Sequence, residues 1–158
     1  MNAEVELYAA RLYRVLDKLV ESVEGLEEAQ LNWRPPLPGA NSRYVLVAHV
    51  LGNLEAWVLG IACGQAIDRD RAAEFAASGP DAGALIERAR ALGRRFNAAL
   101  AALPEDALGE QREPSKLLWG EGVPEQRTVR EALMHAIEHA AVHIGHIHLT
   151  RDIAEAAN

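Results

Sequence analysis

The sequence has little cysteine and few aromatic residues. Its one cysteine, Cys63, excludes an internal disulfide and a cysteine-based zinc cluster. The neighbouring Ile61 and Ala62 are apolar and no basic residue is adjacent, which indicates a small buried hydrophobe rather than a reactive thiol. Aromatic residues make up only 5% of the chain. Alanine and leucine, both strong helix formers, dominate instead, and the composition favours an all-α protein.

Clusters of basic residues are absent as well. The chain has 16 Lys and Arg against 23 Asp and Glu, a net charge of −7, which argues against nucleic acid as a partner. No uninterrupted apolar run reaches the roughly 18 residues of a membrane span, and the charged, amphipathic N-terminal stretch has no signal-peptide pattern. We therefore expect a cytoplasmic protein with no membrane partner. A length of 158 residues suits one domain over residues 1–158.

Apolar residues recur at helical spacing in four segments. The predicted helices run from Glu4 to about Glu24, from Arg43 to about Cys63, from about Asp81 to Leu103, and from Thr128 to about Ala154. Connectors at 32–41 and 104–127 contain the prolines and glycines that break helices, and the polar segment 68–80 has room for one or two helical turns. The pattern predicts a four-helix bundle with long ordered connectors.

Five of the six histidines lie between residues 134 and 152, on the last predicted helix. At about 100° per residue, His143 falls on the apolar face of that helix and His139 on its edge, about 40° away. Two histidines spaced i and i+4 can share a metal ion. The sixth, His49, lies in the second helix, where Glu55 is the only charged residue between Arg43 and Cys63.

Together these positions predict a metal site formed by His49, His139 and His143. Three neutral imidazoles around a divalent ion leave a position open, which is the pattern of catalytic rather than structural sites. A histidine satisfied within the core by a backbone or hydroxyl group is the alternative for each. The other helix histidines have weaker claims: His135 is expected to be exposed, with a place at the rim of the site as the alternative, and His146 to lie at the surface or behind His143.

The sequence leaves the roles of several further side chains undecided. His148 is expected at the surface or in packing, and Glu138 in solvent. In the second helix Asn53 lies one turn after His49 and is a candidate to hold water or substrate, whereas helix phase disfavours Glu55 as a base. Trp57 is expected in the core. The connector residues Trp33 and Trp119 are candidates either for the mouth of a pocket or for packing of the connectors. No catalytic residue is identified, so that assignment stays unknown.

Three stretches resemble a known family: LNWRPP at 31–36, PGANSRYVLVAHVLGNLEAWVLG at 38–60 and TVREALMHAIEHAAVHIGHIHLTRD at 128–152. The sequence is similar to the DinB/YfiT-like superfamily of four-helix bundles, specifically its DinB_2-type members. The resemblance rests on the Asn-Ser cap before a histidine, and on the His-x-x-x-His pattern followed by Gly-His and a Thr-Arg-acid ending. The motifs and their spacing cover most of the chain.

The resemblance implies a metal-binding triad with one histidine from the second helix and two from the last. By motif these are His49, His139 and His143, with zinc or nickel as the ion and water or an exogenous thiol at the open position. Relatives include thiol-dependent transferases and isomerases, and some hydrolases, so the implied function is a metal-dependent enzyme of the thiol-transferase or hydrolase type. The substrate is an unidentified small molecule, and a homodimer is the partner that the family suggests.

Two other functions remain open. One is a non-catalytic, stress-associated helical bundle that binds a metal ion for stability or for a binding role. The absence of an obvious inward-facing carboxylate near the triad supports it. The other is an interaction bundle whose histidines have no common role.

Overall fold

The computed structural model describes residues 2–156. The α-helices within this range are α1 (Ala3–Glu21), α2 (Glu28–Asn32), α3 (Arg43–Leu54), α4 (Arg71–Ala76), α5 (Gly83–Ala101), α6 (Lys116–Trp119) and α7 (Val129–Ala156). A π-helical stretch, Glu55–Ala62, continues α3, and Ala107–Gly109 forms a 3₁₀ turn. Two short antiparallel strands, β1 (Gln111–Arg112) and β2 (Arg127–Thr128), pair with each other. The predicted all-α class is confirmed.

Four long helical segments pack against one another. Helix α1 contacts α5 and α7, while α3 and its π-helical continuation contact the same two helices from the other side. Each segment therefore buries its apolar stripe between two long neighbours. The core contains leucines from α1 and α5 together with apolar residues of α3 and α7. The bundle topology predicted from sequence is more specific than these contacts and stays a prediction.

Helix α3 is the most buried element of the described chain. Every residue from Arg43 to Leu54 is buried, in agreement with the nearly uncharged sequence. The continuous segment Arg43–Ala62 is long and apolar enough to cross a membrane, but 94% of its most apolar window is buried inside the protein. This burial is typical of a core helix, and it places the face that carries His49 at the centre of the fold.

The two helices that carry the histidines begin at side-chain caps. The Ser42 side chain accepts a hydrogen bond from the Val45 amide at 3.2 Å. At the start of α7, the Glu131 amide donates to Thr128 Oγ1 at 3.2 Å, and the Glu131 carboxylate accepts from the Thr128 amide at 2.7 Å. These side chains satisfy backbone donors at both helix starts and fix where each helix begins.

Some predicted boundaries were wrong by two or three residues. Helix α1 ends at Glu21 rather than near Glu24, because the chain turns towards Gly25, whose φ of 75° is outside the helical region. Helix α5 begins at Gly83 rather than Asp81, whose carboxylate accepts a hydrogen bond from the Gly83 amide at 2.7 Å. The π-helical stretch and the pairing of β1 with β2 have no counterpart in the prediction.

Cys63 follows directly after the π-helical stretch and is partly buried. Burial raises the pKa of the Cys63 thiol to about 11. Because only the thiolate is nucleophilic, we expect Cys63 to react roughly 100-fold more slowly with a disulfide reagent at pH 8 than an unperturbed cysteine. Stopped-flow absorbance measures this rate, and the same protein in concentrated urea is the control. Equal rates in the folded and unfolded chain would contradict the prediction.

Candidate metal centre

Three histidines from two helices come together at the centre of the fold. One ring nitrogen from each of His49, His139 and His143 lies within 4.8 Å of the other two. Nε2 of His49 is 3.3 Å from Nε2 of His139. The i, i+4 spacing on α7 brings the rings of His139 and His143 to 4.5 Å between centroids. The structure thus brings together the three residues that the sequence singled out.

A buried carboxylate holds His49 from behind. Nδ1 of His49 lies 2.9 Å from Oε2 of Glu74, on the short helix α4. An ionised carboxylate only accepts hydrogen bonds, so Nδ1 carries the proton and Nε2 of His49 presents a lone pair towards His139. A carboxylate that fixes the tautomer and direction of a histidine in this way is a common support of metal ligands.

Arg69 completes this arrangement. Its guanidinium donates to both oxygens of Glu74, at 2.8 and 3.0 Å, and to the carbonyl of Leu118 at 3.3 Å. Burial raises the pKa of Glu74, but the hydrogen bonds from His49 and Arg69 outweigh burial and leave that pKa below its ordinary value. The carboxylate is therefore ionised at neutral pH, and both its oxygens are engaged.

Gly52 leaves the space that Glu74 occupies. A Cβ at position 52 would lie 2.0 Å from Oε1 and 2.5 Å from Cδ of Glu74, closer than any real contact. The Gly52→Ala variant must therefore displace a carboxylate held by His49 and Arg69, and we expect it to lose about 1–3 kcal/mol of unfolding free energy. Urea denaturation followed by circular dichroism measures the loss. Gly145→Ala on α7 is the matched control, since a Cβ there meets no atom within 4 Å.

His139 and His143, the two histidines of the triad on α7, are held neutral. Burial, followed by repulsion from the neighbouring rings, lowers the pKa of His139 to about 3. Burial lowers the pKa of His143 to about 4, with further contributions from His49 and His146. At neutral pH both imidazoles therefore keep a free lone pair, which a metal ligand requires.

The donor set suits a divalent ion, since three imidazole nitrogens lie within 4.8 Å of one another. Bond lengths of about 2.0–2.1 Å to two imidazole nitrogens place those nitrogens about 3.3–3.4 Å apart, and the Nε2 atoms of His49 and His139 are 3.3 Å apart. Nδ1 of His139 is buried and has no hydrogen-bond partner, unlike a histidine satisfied within a core. Imidazole donors suit zinc, copper, iron and nickel better than magnesium or calcium, so the three histidines can hold an ion of the first group.

A cavity of about 330 Å³ opens beside the histidines. His49 and His139 lie on its wall together with Trp57 and Trp119. The two indole rings are 5.2 Å apart between centroids. Trp119 comes from the long connector at 104–127, which therefore covers one side of the site. The prediction of a core position holds for Trp57, which is buried and also lines the cavity.

His135 lies in this cavity wall, and the expectation of an exposed residue was wrong. Its ring stacks on Trp57 with centroids 3.7 Å apart and is half-buried. Burial lowers the pKa of His135. Helix phase places the residue outside the apolar face of α7, but Trp57 covers its ring and Trp119 lines the same cavity. The rim position that the sequence left as the alternative is the one observed.

The remaining histidines of α7 lie further out. Nδ1 of the exposed His146 is 3.3 Å from Nδ1 of His143. His148 is exposed, as expected, and so is Glu138. His146 is therefore both exposed and in contact with His143, so the two positions considered for it are not alternatives in the structure.

Other candidates separate clearly in the structure. Asn53 is buried and lines the cavity, and its Oδ1 has no hydrogen-bond partner. Glu55 instead pairs with Arg88 and Arg95 of α5, which agrees with its unfavourable helix phase. Trp33 lines a different cavity, to which Arg43 and the end of α7 also contribute.

Sequence reasoning missed Glu74 and Arg69: it found no obvious inward-facing carboxylate near the triad, whereas the structure places Glu74 against His49. Both residues lie in or just before α4, in a segment expected to be polar with room for one or two helical turns. The available signal was weak: Gly52 follows His49 by three residues, and because glycine has no side chain it leaves space on the helix surface next to His49. Which residue fills that space depends on how α4 packs on α3.

Comparison with other proteins identifies the family. The model of the DinB superfamily matches residues 11–147. A conserved protein of Enterococcus faecalis has a similar structure, with a TM-score of 0.69 and 19% identity over 97% of both chains. A DinB-like protein of Bacillus subtilis aligns with a TM-score of 0.61 and 20% identity over 98% of this chain and 92% of that one.

A DinB-like protein of Bacillus cereus aligns with a TM-score of 0.64 and 16% identity over 94% of this chain and 86% of that one. At these identities the similarity concerns the fold alone. The comparison with curated proteins finds no match. The family match covers most of the sequence and includes His49, His139 and His143. The chain belongs to the DinB superfamily.

Proposed function

We propose that the protein is a divalent-metal-dependent enzyme in which His49, His139 and His143 bind zinc or nickel. The observation that carries this proposal is the meeting of three imidazoles from α3 and α7, two of which, those of His49 and His139, lie on the wall of a cavity. An ion bound there would lower the pKa of a thiol or water at its open position and so supply a nucleophile at neutral pH. The reaction is of the thiol-transferase or hydrolase type.

The surrounding residues have distinct roles in this proposal. Glu74 and Arg69 hold the His49 ring so that Nε2 points to the centre, which keeps the ligand direction fixed without any change on binding. Trp57 and Trp119 line the space beside the histidines and restrict water around a bound substrate. Asn53 offers a buried amide to a polar substrate group.

The open side of the cluster favours catalysis over a purely structural ion. Structural zinc sites are closed by four protein ligands. Among residues 2–156 only three suitable side chains converge, and a cavity adjoins them. A substrate can therefore reach the fourth position.

A non-catalytic metal-binding role is the second candidate. It is favoured by Glu74, whose two oxygens are both engaged by His49 and Arg69, so this carboxylate is not free to accept a proton from a substrate. In that case the ion would stabilise the contact between α3 and α7. Thermal unfolding with and without zinc would then show stabilisation, and no substrate would be converted.

A substrate panel separates the two functions. The zinc-loaded and nickel-loaded protein is incubated with chloro- and epoxide electrophiles, each with bacillithiol, mycothiol, glutathione or water alone. We expect turnover with at least one thiol or with water, and its loss after chelation and in His143→Ala. His148→Ala, an exposed histidine on the same helix, is the control. Turnover that is unchanged by chelation would contradict metal dependence, and metal binding without any turnover would favour the second candidate.

A further inference from the structure

The mouth of the cavity is rich in arginine, although the protein as a whole is acidic. Arg69, Arg71 and Arg127 all line the cavity, as does Glu121, and each arginine is paired with a glutamate. The chain has a net charge of −7. A cluster of guanidinium groups in an acidic protein marks a place where an anion is favoured over its surroundings.

The backbone at Gly120 brings two of these arginines together. Gly120 has a φ of 91°, and the position that a Cβ would take there lies 3.7 Å from Nε of Arg71 and 3.9 Å from Nη1 of Arg69. The guanidinium of Arg127 lies over the Trp119 ring, 5.2 Å from its centroid. Guanidinium groups therefore lie close to both Trp119 and Gly120, two adjacent residues that line the cavity.

Two of the three arginines are available to a ligand. Arg69 is committed to Glu74 inside the protein. Arg71 pairs with Glu121 at 2.8 Å, where the side chains are 37% and 82% exposed, and Arg127 pairs with Glu125 at 2.6 Å. Such exposed pairs contribute little to stability, so a ligand anion can replace either glutamate at low cost.

The inner wall of the same cavity contains two buried polar atoms without hydrogen-bond partners. Oδ1 of Asn53 and Nε1 of Trp57 are buried without hydrogen-bond partners, and both residues line the cavity. A buried acceptor and a buried donor left unpaired cost free energy that a polar ligand group between them can recover after a small side-chain shift. The cavity thus combines aromatic walls, unpaired polar atoms within and guanidinium groups at the mouth.

We propose that this cavity binds a small organic carboxylate, with its carboxylate on Arg71 and Arg127 and its apolar part against Trp119 and Trp57. The opposite end of the ligand then lies at the histidine cluster. The placement of that end of the ligand at the histidines rests on the proposed metal-dependent function, whereas the anion subsite does not. The substrate class of the enzyme is accordingly an organic acid rather than a neutral or cationic compound.

Benzoate and benzamide test this subsite on metal-free protein, because they differ in charge but hardly in shape. Two-dimensional ¹H–¹⁵N NMR follows the three indole N–H signals, assigned with single Trp→Phe variants. We expect benzoate to shift the Trp119 and Trp57 signals and to leave Trp33, in another cavity, unchanged. Benzoate should bind about tenfold more tightly than benzamide, as expected for a charge-assisted contact.

Matched variants assign the preference to the arginines. The Arg71→Gln/Arg127→Gln variant should bind the two compounds equally, and Arg71→Lys/Arg127→Lys should keep part of the preference. Arg130→Gln, which removes an exposed arginine paired with Glu4 outside the cavity, should behave like the parent protein. Glu121→Gln should bind benzoate about two- to threefold more tightly, because Arg71 loses its competing partner.

Either of two results would overturn the subsite: no preference for benzoate in the parent protein, or a preference that survives Arg71→Gln/Arg127→Gln. If that double variant fails to fold, a Glu121→Gln variant with unchanged or weaker benzoate affinity overturns it equally. Since every titration uses metal-free protein, a failed metal assay does not affect this result. Conversely, a confirmed metal site with no benzoate preference would leave the proposed function in place and remove the organic-acid substrate class.

Discussion

Replacing His139 with alanine is expected to lower the affinity for zinc more than about 100-fold, since loss of a direct ligand exceeds the usual effect of losing a supporting residue. Nε2 of His139 is 3.3 Å from Nε2 of His49, and the i, i+4 pairing with His143 depends on it. The two remaining imidazoles cannot hold the ion with comparable strength. Competition with a zinc-chelating dye measures the affinity.

The control for this variant is His148→Ala, which removes an exposed histidine from the same helix. It should bind zinc as tightly as the parent protein. Removing His139 also removes a partly buried ring whose Nδ1 has no hydrogen-bond partner. Circular dichroism is therefore needed to show that the fold persists. Equal zinc affinity in folded His139→Ala and His148→Ala proteins would contradict the assignment of His139 as a ligand.

Glu74→Ala is expected to cost about 3–5 kcal/mol of unfolding free energy, the range for breaking a buried ion pair from one side. The side chains of Arg69 and Glu74 are 3% and 5% exposed, so the guanidinium would stay buried with only the Leu118 carbonyl as acceptor. Urea denaturation measures the loss. A change below about 1 kcal/mol, as for an exposed pair, would contradict the buried network.

A double replacement separates the structural role of this network from its effect on the metal. Glu74→Leu/Arg69→Met exchanges both charges for apolar groups and should recover most of the stability, because no buried charge is then left alone. It should still bind zinc about 10–100-fold more weakly, because His49 loses the acceptor that fixes its Nδ1–H. Recovery of full zinc affinity together with stability would show that Glu74 does not position His49.

The triad could be predicted because it depends on local periodicity. The i, i+4 spacing of His139 and His143 follows from helix geometry alone, and the position of His49 on an almost uncharged helix indicates burial. The capping residues fixed both helix starts, so the phases used for these histidines were correct. The same pattern indicated that α3 is buried over much of its circumference, and every residue from Arg43 to Leu54 is buried.

The support of the site could not be predicted because it depends on contacts between distant elements. Glu74 meets His49 only because the short helix α4 packs across α3 where Gly52 leaves room. His135 stacks on Trp57, and the connector packs Trp119 against the same Trp57, so that all three residues line one cavity. Neither placement follows from helix phase, which describes one helix at a time.

The most direct test of the account is the metal content of the chain purified without a histidine tag and equilibrated with zinc. Mass spectrometry of the dialysed protein should find about one ion per chain, as for a mononuclear three-histidine site. The His49→Ala/His139→Ala variant, shown to be folded by circular dichroism, should retain none. Equal metal content in the two proteins would contradict the three-histidine centre and the function proposed from it.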